Sequence, residues 1–336
     1  MIGTEAPSIA MTTVATAQYT LLRIRELSPT QPWPRCRAHA QPTIRNNGSM
    51  PPLVSIVVPA YNNADYLAET LDSVFAQTYR SLEVIVADHS STDQTWQVME
   101  RYADDPRVTL LRTEAGGGAL RNWNRVSLAA TGTYLKLVCG DDLIAPESVE
   151  RQVDALESHP GAVLAASTRD LIDASGRRFV RGRGLAGLRG RVGGAEAIRR
   201  SVRRGTNIFG EPGCVLMRRE TLERVGWWDS RFPYLIDQAT YSRVLLDGDF
   251  VAVDASLAAF RVSSSQWSVR LVREQAQQTI DYNAWLADEH SDVISRNDQR
   301  IGDVRARMMA RTRQLAYAYL GRRMSNPSAD ARADAS

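Results

Sequence analysis

Two adjacent aspartates, Asp141 and Asp142, close the run Tyr134-Leu-Lys-Leu-Val-Cys-Gly-Asp-Asp. Paired carboxylates carried by an apolar strand to a sheet edge are hard oxygen ligands, suited to holding a divalent cation against the phosphates of a substrate. The pair also stands just before Ala145-Pro146, so a second reading is open at this level: a cap for a helix that begins with proline. Two other polar clusters follow apolar runs in the same way, Pro59-Ala-Tyr-Asn and Asp88-His-Ser-Ser-Thr-Asp.

The elements that position these clusters are legible from periodicity. Leu53-Val-Ser-Ile-Val-Val is a short β-branched run stopped by Pro59, the pattern of a buried strand. Tyr66, Leu67, Leu71, Val74 and Phe75 recur at helical spacing. A second strand, Leu82-Glu-Val-Ile-Val-Ala, is followed by Ser91 and Gln94, spaced as a capping box for a helix bearing Val98, Met99 and Tyr102. Val108-Thr-Leu-Leu, a turn at Gly116-Gly-Gly, a helix over 120–130 and a strand over 134–138 complete the alternation. Strands alternating with helices of about ten residues imply an α/β fold with a doubly wound, mostly parallel sheet, and ligands at the carboxyl ends of its strands. Every polar cluster falls at such an end. No Gly-x-Gly-x-x-Gly follows the first strand and no Gly-Lys-Ser/Thr loop is present, which disfavours a dinucleotide fingerprint and a P-loop.

Composition narrows the partners. The chain has 336 residues, enough for one large domain or two fused halves, and a net charge of +3, too small to argue for nucleic acid. Arginine supplies nearly all the positive charge, Lys136 being the sole lysine. Cys36, Cys139 and Cys214 are widely spaced with no paired-ligand pattern, which fits a reducing cytoplasm better than a disulfide framework. No apolar run reaches the roughly 20 residues of a spanning helix. Residues 1–51, with Pro29-Thr-Gln-Pro-Trp-Pro and Asn46-Asn-Gly-Ser, are expected to form a loosely ordered leader.

Val57-Val-Pro-Ala-Tyr-Asn-Asn, then Asp88-x-Ser-Ser-Thr-Asp-x-Thr, then a strand ending in Gly-Asp-Asp together resemble glycosyltransferase family 2. The resemblance runs from about Pro52 to Ser265. It implies the GT-A fold, an inverting transfer, a nucleotide-diphosphate sugar (UDP- or dTDP-linked) as donor, and Mg2+ or Mn2+. It divides the chain into a nucleotide-binding half (52–145), an acceptor half (146–265), a C-terminal helical segment (266–324) and a disordered tail (325–336). Carried over by position, Pro59, Tyr61, Asn62, Asp88, Ser91 and Asp93 line the nucleotide pocket, Arg121 faces phosphate, and Asp141 with Asp142 meets the metal. Cys139 stands where the commonest family pattern has a first aspartate, leaving Asp141 the main ligand. The family's base is one of an acidic pair followed six residues later by arginine; here Ile236 replaces the first acid, Asp237 is the candidate, and Arg243 keeps the spacing. Glu211, Trp228 and Trp267 are the acceptor-side candidates. Asn122-Trp-Asn-Arg and the Cys-Gly-Asp-Asp strand end are similar to members acting on cell-surface glycans, which implies polysaccharide biosynthesis with a glycan or polyprenyl-diphosphate-linked acceptor.

Between Arg177 and Arg204 ten arginines accompany one acid, Glu196. That stretch is expected to be a surface loop, either simply solvated or meeting an acidic acceptor at the cytoplasmic face of a membrane. The missing acids at Cys139 and Ile236 keep open a noncatalytic sugar-nucleotide-binding module, and the doubly wound sheet keeps open a sugar nucleotidyltransferase.

Overall fold

Four parallel strands come first in the chain: β1 (Val54–Ala60), β2 (Leu82–Asp88), β3 (Val108–Arg112) and β4 (Tyr134–Leu137), in the sheet order β3-β2-β1-β4. All seven residues of β1 are buried, the signature of a parallel strand with both faces covered. Pro59 lies inside this strand rather than ending it. Its register partner is Ala87 of β2, whereas β4 stops opposite Val57, so the proline sits where β1 is paired on one side only. Helices α1 (Leu67–Phe75), α2 (Thr95–Glu100) and α3 (Gly118–Leu128) make the crossovers. The computed structural model describes residues 50–263 and 274–324; Trp267, the tail 325–336 and nearly all of the leader lie outside them.

The second half continues the same sheet with β5 (Leu143–Ile144), β6 (Ala162–Ile172), β7 (Arg178–Arg183), β8 (Gly190–Val192), β9 (Val215–Arg218) and β10 (Asp249–Arg261). β9 runs antiparallel to both β4 and β6, while β10 runs parallel to β6 and antiparallel to β5 and β8. The sheet is therefore parallel through its first four strands and mixed beyond them, and both halves share one core. Helices α4 (Ser148–Glu157), α5 (Gly194–Arg204), α6 (Arg219–Arg224) and α7 (Ile236–Leu246) cover it. Two C-terminal helices, α8 (Gln275–Glu289) and α9 (Arg296–Met324), close the fold. Their seat is tight: a Cβ at Gly205 would come 2.4 Å from the Ala306 nitrogen, and one at Gly302 would come 2.5 Å from the Val202 carbonyl oxygen.

Three local expectations are corrected. Ser91 and Gln94 form no capping box, because α2 begins after Gln94 without a side-chain cap and the Ser91 hydroxyl is occupied elsewhere. Neither Asp141 nor Asp142 caps the helix after Pro146; α4 starts at Ser148 behind Glu147, again without a side-chain cap. The arginine-rich stretch is not a loop but β7, β8 and α5. Its arginines fit regular structure because acids from outside the stretch meet them: Asp170 pairs with Arg178, Asp249 with Arg191, and Asp298 with Arg203.

Candidate active site

The loops after β1 and β2 are tied together by side chains that hold backbone N–H groups. Asn62 N–H donates to Ser91 Oγ at 2.9 Å, and Thr92 N–H donates back to Asn62 Oδ1 at 2.9 Å. Asp93 accepts from Ala64 N–H at 3.0 Å and from Thr95 N–H at 2.9 Å, which braces the first turn of α2. Asp88 is buried and accepts from Ser91 N–H at 3.2 Å. Asn62 and Ser90 both take left-handed φ, 50° and 53°; such conformations cost energy in non-glycine residues and persist where surroundings over-determine them. Asn122 underlies the edge, donating to the carbonyls of Ala60 and Ala87 at 3.2 and 3.1 Å. Tyr61 is 52% exposed, its ring 5.9 Å from that of His89, whose Nε2 lies 2.9 Å from the Gly116 carbonyl oxygen. Pro59, Tyr61, Asn62, Asp88, Ser91 and Asp93 thus share one edge. Arg121, exposed on α3, is instead held by Glu114 at 2.6 Å.

The acidic turn joins that edge. Asp142 N–H donates to the Cys139 carbonyl at 3.0 Å, and a Cβ at Gly140 would come 2.8 Å from Asn63 Oδ1, so only glycine lets the turn approach the β1 loop. The two aspartates differ. Asp142 is 2% exposed, accepts the Arg261 N–H at 3.0 Å, and has its carboxyl pushed well above the usual range by burial and then by the charge of Asp141. Asp141 is half-buried, and its backbone carbonyl accepts from Arg261 Nε at 2.9 Å. Arg261 is 1% exposed and also reaches Glu69 at 2.6 Å, the Ala174 carbonyl at 3.3 Å and the face of Tyr66 at 4.5 Å. It is the hub that sets the acidic turn against α1.

A second polar cluster is assembled around Asp237, in the first turn of α7. Its Oδ1 accepts from Gln238 N–H at 2.7 Å and its Oδ2 from Asn207 Nδ2 at 2.8 Å. Burial is the leading cause that pushes its carboxyl up to about 7; Glu211 adds to the rise, while the Gln238 N–H, Asn207 and Arg169 oppose it. Asn207 also donates to the Gly210 carbonyl at 2.9 Å. Gly210 has φ 94°, and a Cβ there would come 2.6 Å from Cys214 Sγ. Glu211 is held by the guanidinium of Arg169, with Nη2 2.8 Å from Oε1 and a closer contact through Nε. Arg243 pairs with Asp229 at 3.5 Å.

Sequence reasoning misplaced one residue and missed three. Trp228 is not at an exposed acceptor surface: it is 3% exposed, its indole N–H donates to Ser127 Oγ at 2.8 Å, and it packs edge-on to Trp123 at 5.0 Å. Asn207, Arg169 and Arg261 were not singled out. Their partners lie 30 to 192 residues away, and an arginine in an arginine-rich chain carries no signal of its own.

Among the described residues no group of three or more His, Cys, Asp or Glu is arranged to hold a metal. The donor set nevertheless fits a divalent cation that takes one carboxylate from the protein and the rest from phosphate and water. The half-buried Cys139 thiol shows why: after burial, the charges of Asp142, Asp141, Asp237 and Glu211 all push it up. Four acidic side chains thus converge on one thiol, Asp141 among them. Burial and these acids hold the thiol well above its usual range, and sulfur is in any case a poor partner for a hard cation.

Residues 55–226, just over half of the chain, match the model of glycosyl transferase family 2. The chain belongs to that family and has the GT-A fold. Over 131 residues it is 29% identical to glycosyltransferase GlyG of Streptococcus pneumoniae, covering 39% of this chain and 44% of that one. Over 100 residues it is 40% identical to the chondroitin synthase of Pasteurella multocida, covering 30% of this chain and 10% of that one. It therefore spans less than half the length of these curated relatives. Among solved structures it is similar to S. aureus TarS 1–349 in complex with UDP-GlcNAc, with TM-score 0.58 and 19% identity over 74% of this chain and 70% of that one. It is also similar to the mannosyltransferase PcManGT of Pyrobaculum calidifontis in complex with GDP-Man and Mn2+, with TM-score 0.56 and 18% identity over 97% and 87% of the two chains.

Proposed function

We propose that this chain is a glycosyltransferase that moves a sugar, with inversion, from a UDP- or dTDP-sugar to a hydroxyl of a glycan or lipid-linked acceptor in cell-surface polysaccharide biosynthesis. The observation that carries the reading is Asp237. A carboxylate whose pKa is raised to about 7 is matched to proton abstraction near neutral pH, and Asn207 fixes its orientation without neutralising it. Its charge and that of Asp141 both act on Cys139, which supports a reading in which base and acidic turn serve one reaction.

In this reading the acceptor oxygen forms a bond to the anomeric carbon, the bond from that carbon to the diphosphate breaks, and the acceptor proton passes to Asp237. Tyr61 offers an exposed ring to the nucleotide base, and the cross-linked loops carrying Pro59, Asn62, Asp88, Ser91 and Asp93 hold the pocket in shape before the donor arrives. Asp141 would hold Mg2+ or Mn2+, which when bound neutralises charge on the departing diphosphate. Asp142 supports Asp141 through the Arg261 hub rather than serving as an equal ligand. Glu211, paired with Arg169, orients the acceptor. The donor half is then 52–145 and the acceptor half 146–265. No described helix is long and apolar enough to cross a membrane. A cytoplasmic reaction, with the acceptor met at the membrane face, is supported by the free Cys139 and Cys214.

The test is calorimetry with UDP- and dTDP-sugars, with and without Mn2+, followed by donor hydrolysis. Asp237→Asn should bind donor as the wild type does and lose turnover. Hydrolysis indifferent to chelator and to Asp141→Ala would remove the metal from this account.

A further inference from the structure

Of the 41 lysines and arginines in the chain Lys136 is the only lysine, and it is fully buried. It stands in β4, the strand that leads to the acidic turn. Its Nζ donates to Gln152 Oε1 at 2.9 Å and lies 3.4 Å from the Val215 carbonyl oxygen. Both partners are neutral, and among the described residues no acid pairs with the amine. Burial pushes its pKa down to about 7. A buried lysine can shed its charge and still donate, whereas an arginine cannot, so lysine suits this position in a chain that otherwise uses arginine.

What the amine holds lies on the way to Asp237. Gln152, fully buried on α4, accepts from Lys136 through one end of its amide and donates through the other to the Cys214 carbonyl at 2.6 Å. The Cys214 N–H donates to the Glu211 carbonyl at 2.8 Å, which closes the turn over Pro212–Cys214. Cys214 Sγ fills the space beside Gly210, where a Cβ would come within 2.6 Å of it. The Gly210 carbonyl accepts from Asn207 Nδ2 at 2.9 Å, and the same nitrogen donates to Asp237 Oδ2 at 2.8 Å. Residues 207–215 are therefore pinned to β4 and α4 at one end and to α7 at the other.

We propose that Lys136 is a positioning residue for Asp237: its amine, through Gln152, holds the turn at 211–215 in the place from which Asn207 donates to that carboxylate. The inference rests on the reading of Asp237 as base and adds the core residue that keeps its donor in reach. Lys136 touches no reacting atom. Asn207 favours the ionised carboxylate, so loosening the turn should let Asp237 titrate higher. The Gln238 N–H and Arg169 also oppose the rise, but they are held from α7 and β6; Glu211, which promotes it, stays paired with Arg169.

The test uses the full chain with isotope-labelled aspartate carboxyl carbons, the Asp237 signal being the one missing from Asp237→Asn. Its titration is followed by NMR in the wild type, Lys136→Met, Gln152→Met and the double variant. The wild type should titrate near 7 and each single variant higher. The double variant should titrate no higher than either single, because both cut one path. UDP release from UDP-N-acetylglucosamine with Mn2+ should fall roughly tenfold or more in each variant, with UDP affinity by calorimetry unchanged. A lower melting temperature with the Asp237 titration unmoved is the mark of a merely structural role and overturns the inference. A shift confined to Lys136→Met overturns it too, since that reports the charge of the amine rather than the turn it holds, as do additive shifts in the double variant. Gln152→Met alone decides the matter should Lys136→Met not fold. Retained UDP release in Asp237→Asn would sink the base reading and leave the titration result standing.

Discussion

The proposed donor edge, at the ends of β1 and β2, and the proposed acceptor side, around Asp237, are built on opposite principles. At the donor edge the polar residues are spent on backbone: Ser91, Asn62, Asp93 and Asp88 hold N–H groups of the loops that carry them. On the acceptor side the polar residues are half-buried and their chemistry altered: Asp237 is raised to about 7 and Tyr234 to about 12, each chiefly by burial. One region is a preformed mould and the other a chemically poised surface. A mould is damaged in proportion to the bonds removed. A poised group fails when its charge is changed.

That contrast orders the expected effects. Asp237→Asn keeps the shape, retains one acceptor oxygen for either Asn207 or the Gln238 N–H, and removes the base, so kcat should fall by about 1,000-fold while donor affinity holds. Next comes Asp141→Ala, expected to lose on the order of 100-fold in turnover and to bind UDP more weakly with Mn2+ than the wild type; calorimetry and initial rates read both. Arg261→Met should cost roughly 3 kcal/mol by denaturant unfolding, from three lost hydrogen bonds at about 1 kcal/mol each, and should weaken donor binding more than it slows bound substrate. Smallest is Ser91→Ala, about 1 kcal/mol and a few-fold rise in donor KM. Should Ser91→Ala instead abolish turnover at saturating donor, the donor edge would be chemical and the contrast would break.

Stability against pH sharpens the same comparison. The Asp237 pKa is raised from 3.8 to about 7 in the folded protein, so the folded state holds that proton more tightly than the unfolded chain. The associated stability is fully present below about 4 and is lost as pH rises through about 7. Asp237→Asn should flatten that decline and melt above the wild type at pH 8, a trade of stability for function.

The donor edge was legible in the sequence because its pieces are local. Apolar runs ending in Pro59-Ala-Tyr-Asn and Asp88-His-Ser-Ser-Thr-Asp name both the strands and the loops at their ends. Even there, spacing misled about bonding: Ser91 serves Asn62 across the cleft edge rather than its own helix. The acceptor side was legible only in Asp237 and Glu211, through resemblance. Arg261 meets Glu69 from 192 residues away, and Arg169 meets Glu211 from 42, separations at which no pattern in the chain links the partners. Trp228 was put on the acceptor side by resemblance of its segment alone, which does not say where the ring points; the Ser127 hydroxyl that satisfies its N–H settles it in the core.

The most direct test of the account is the pH dependence of UDP-sugar turnover by the wild type and Asp237→Asn, with donor binding measured alongside. Wild-type kcat/KM should rise with pH through an apparent pKa near 7, and Asp237→Asn should bind donor equally while losing both the rate and that limb. Near wild-type turnover in Asp237→Asn, with the same pH limb retained, would contradict it.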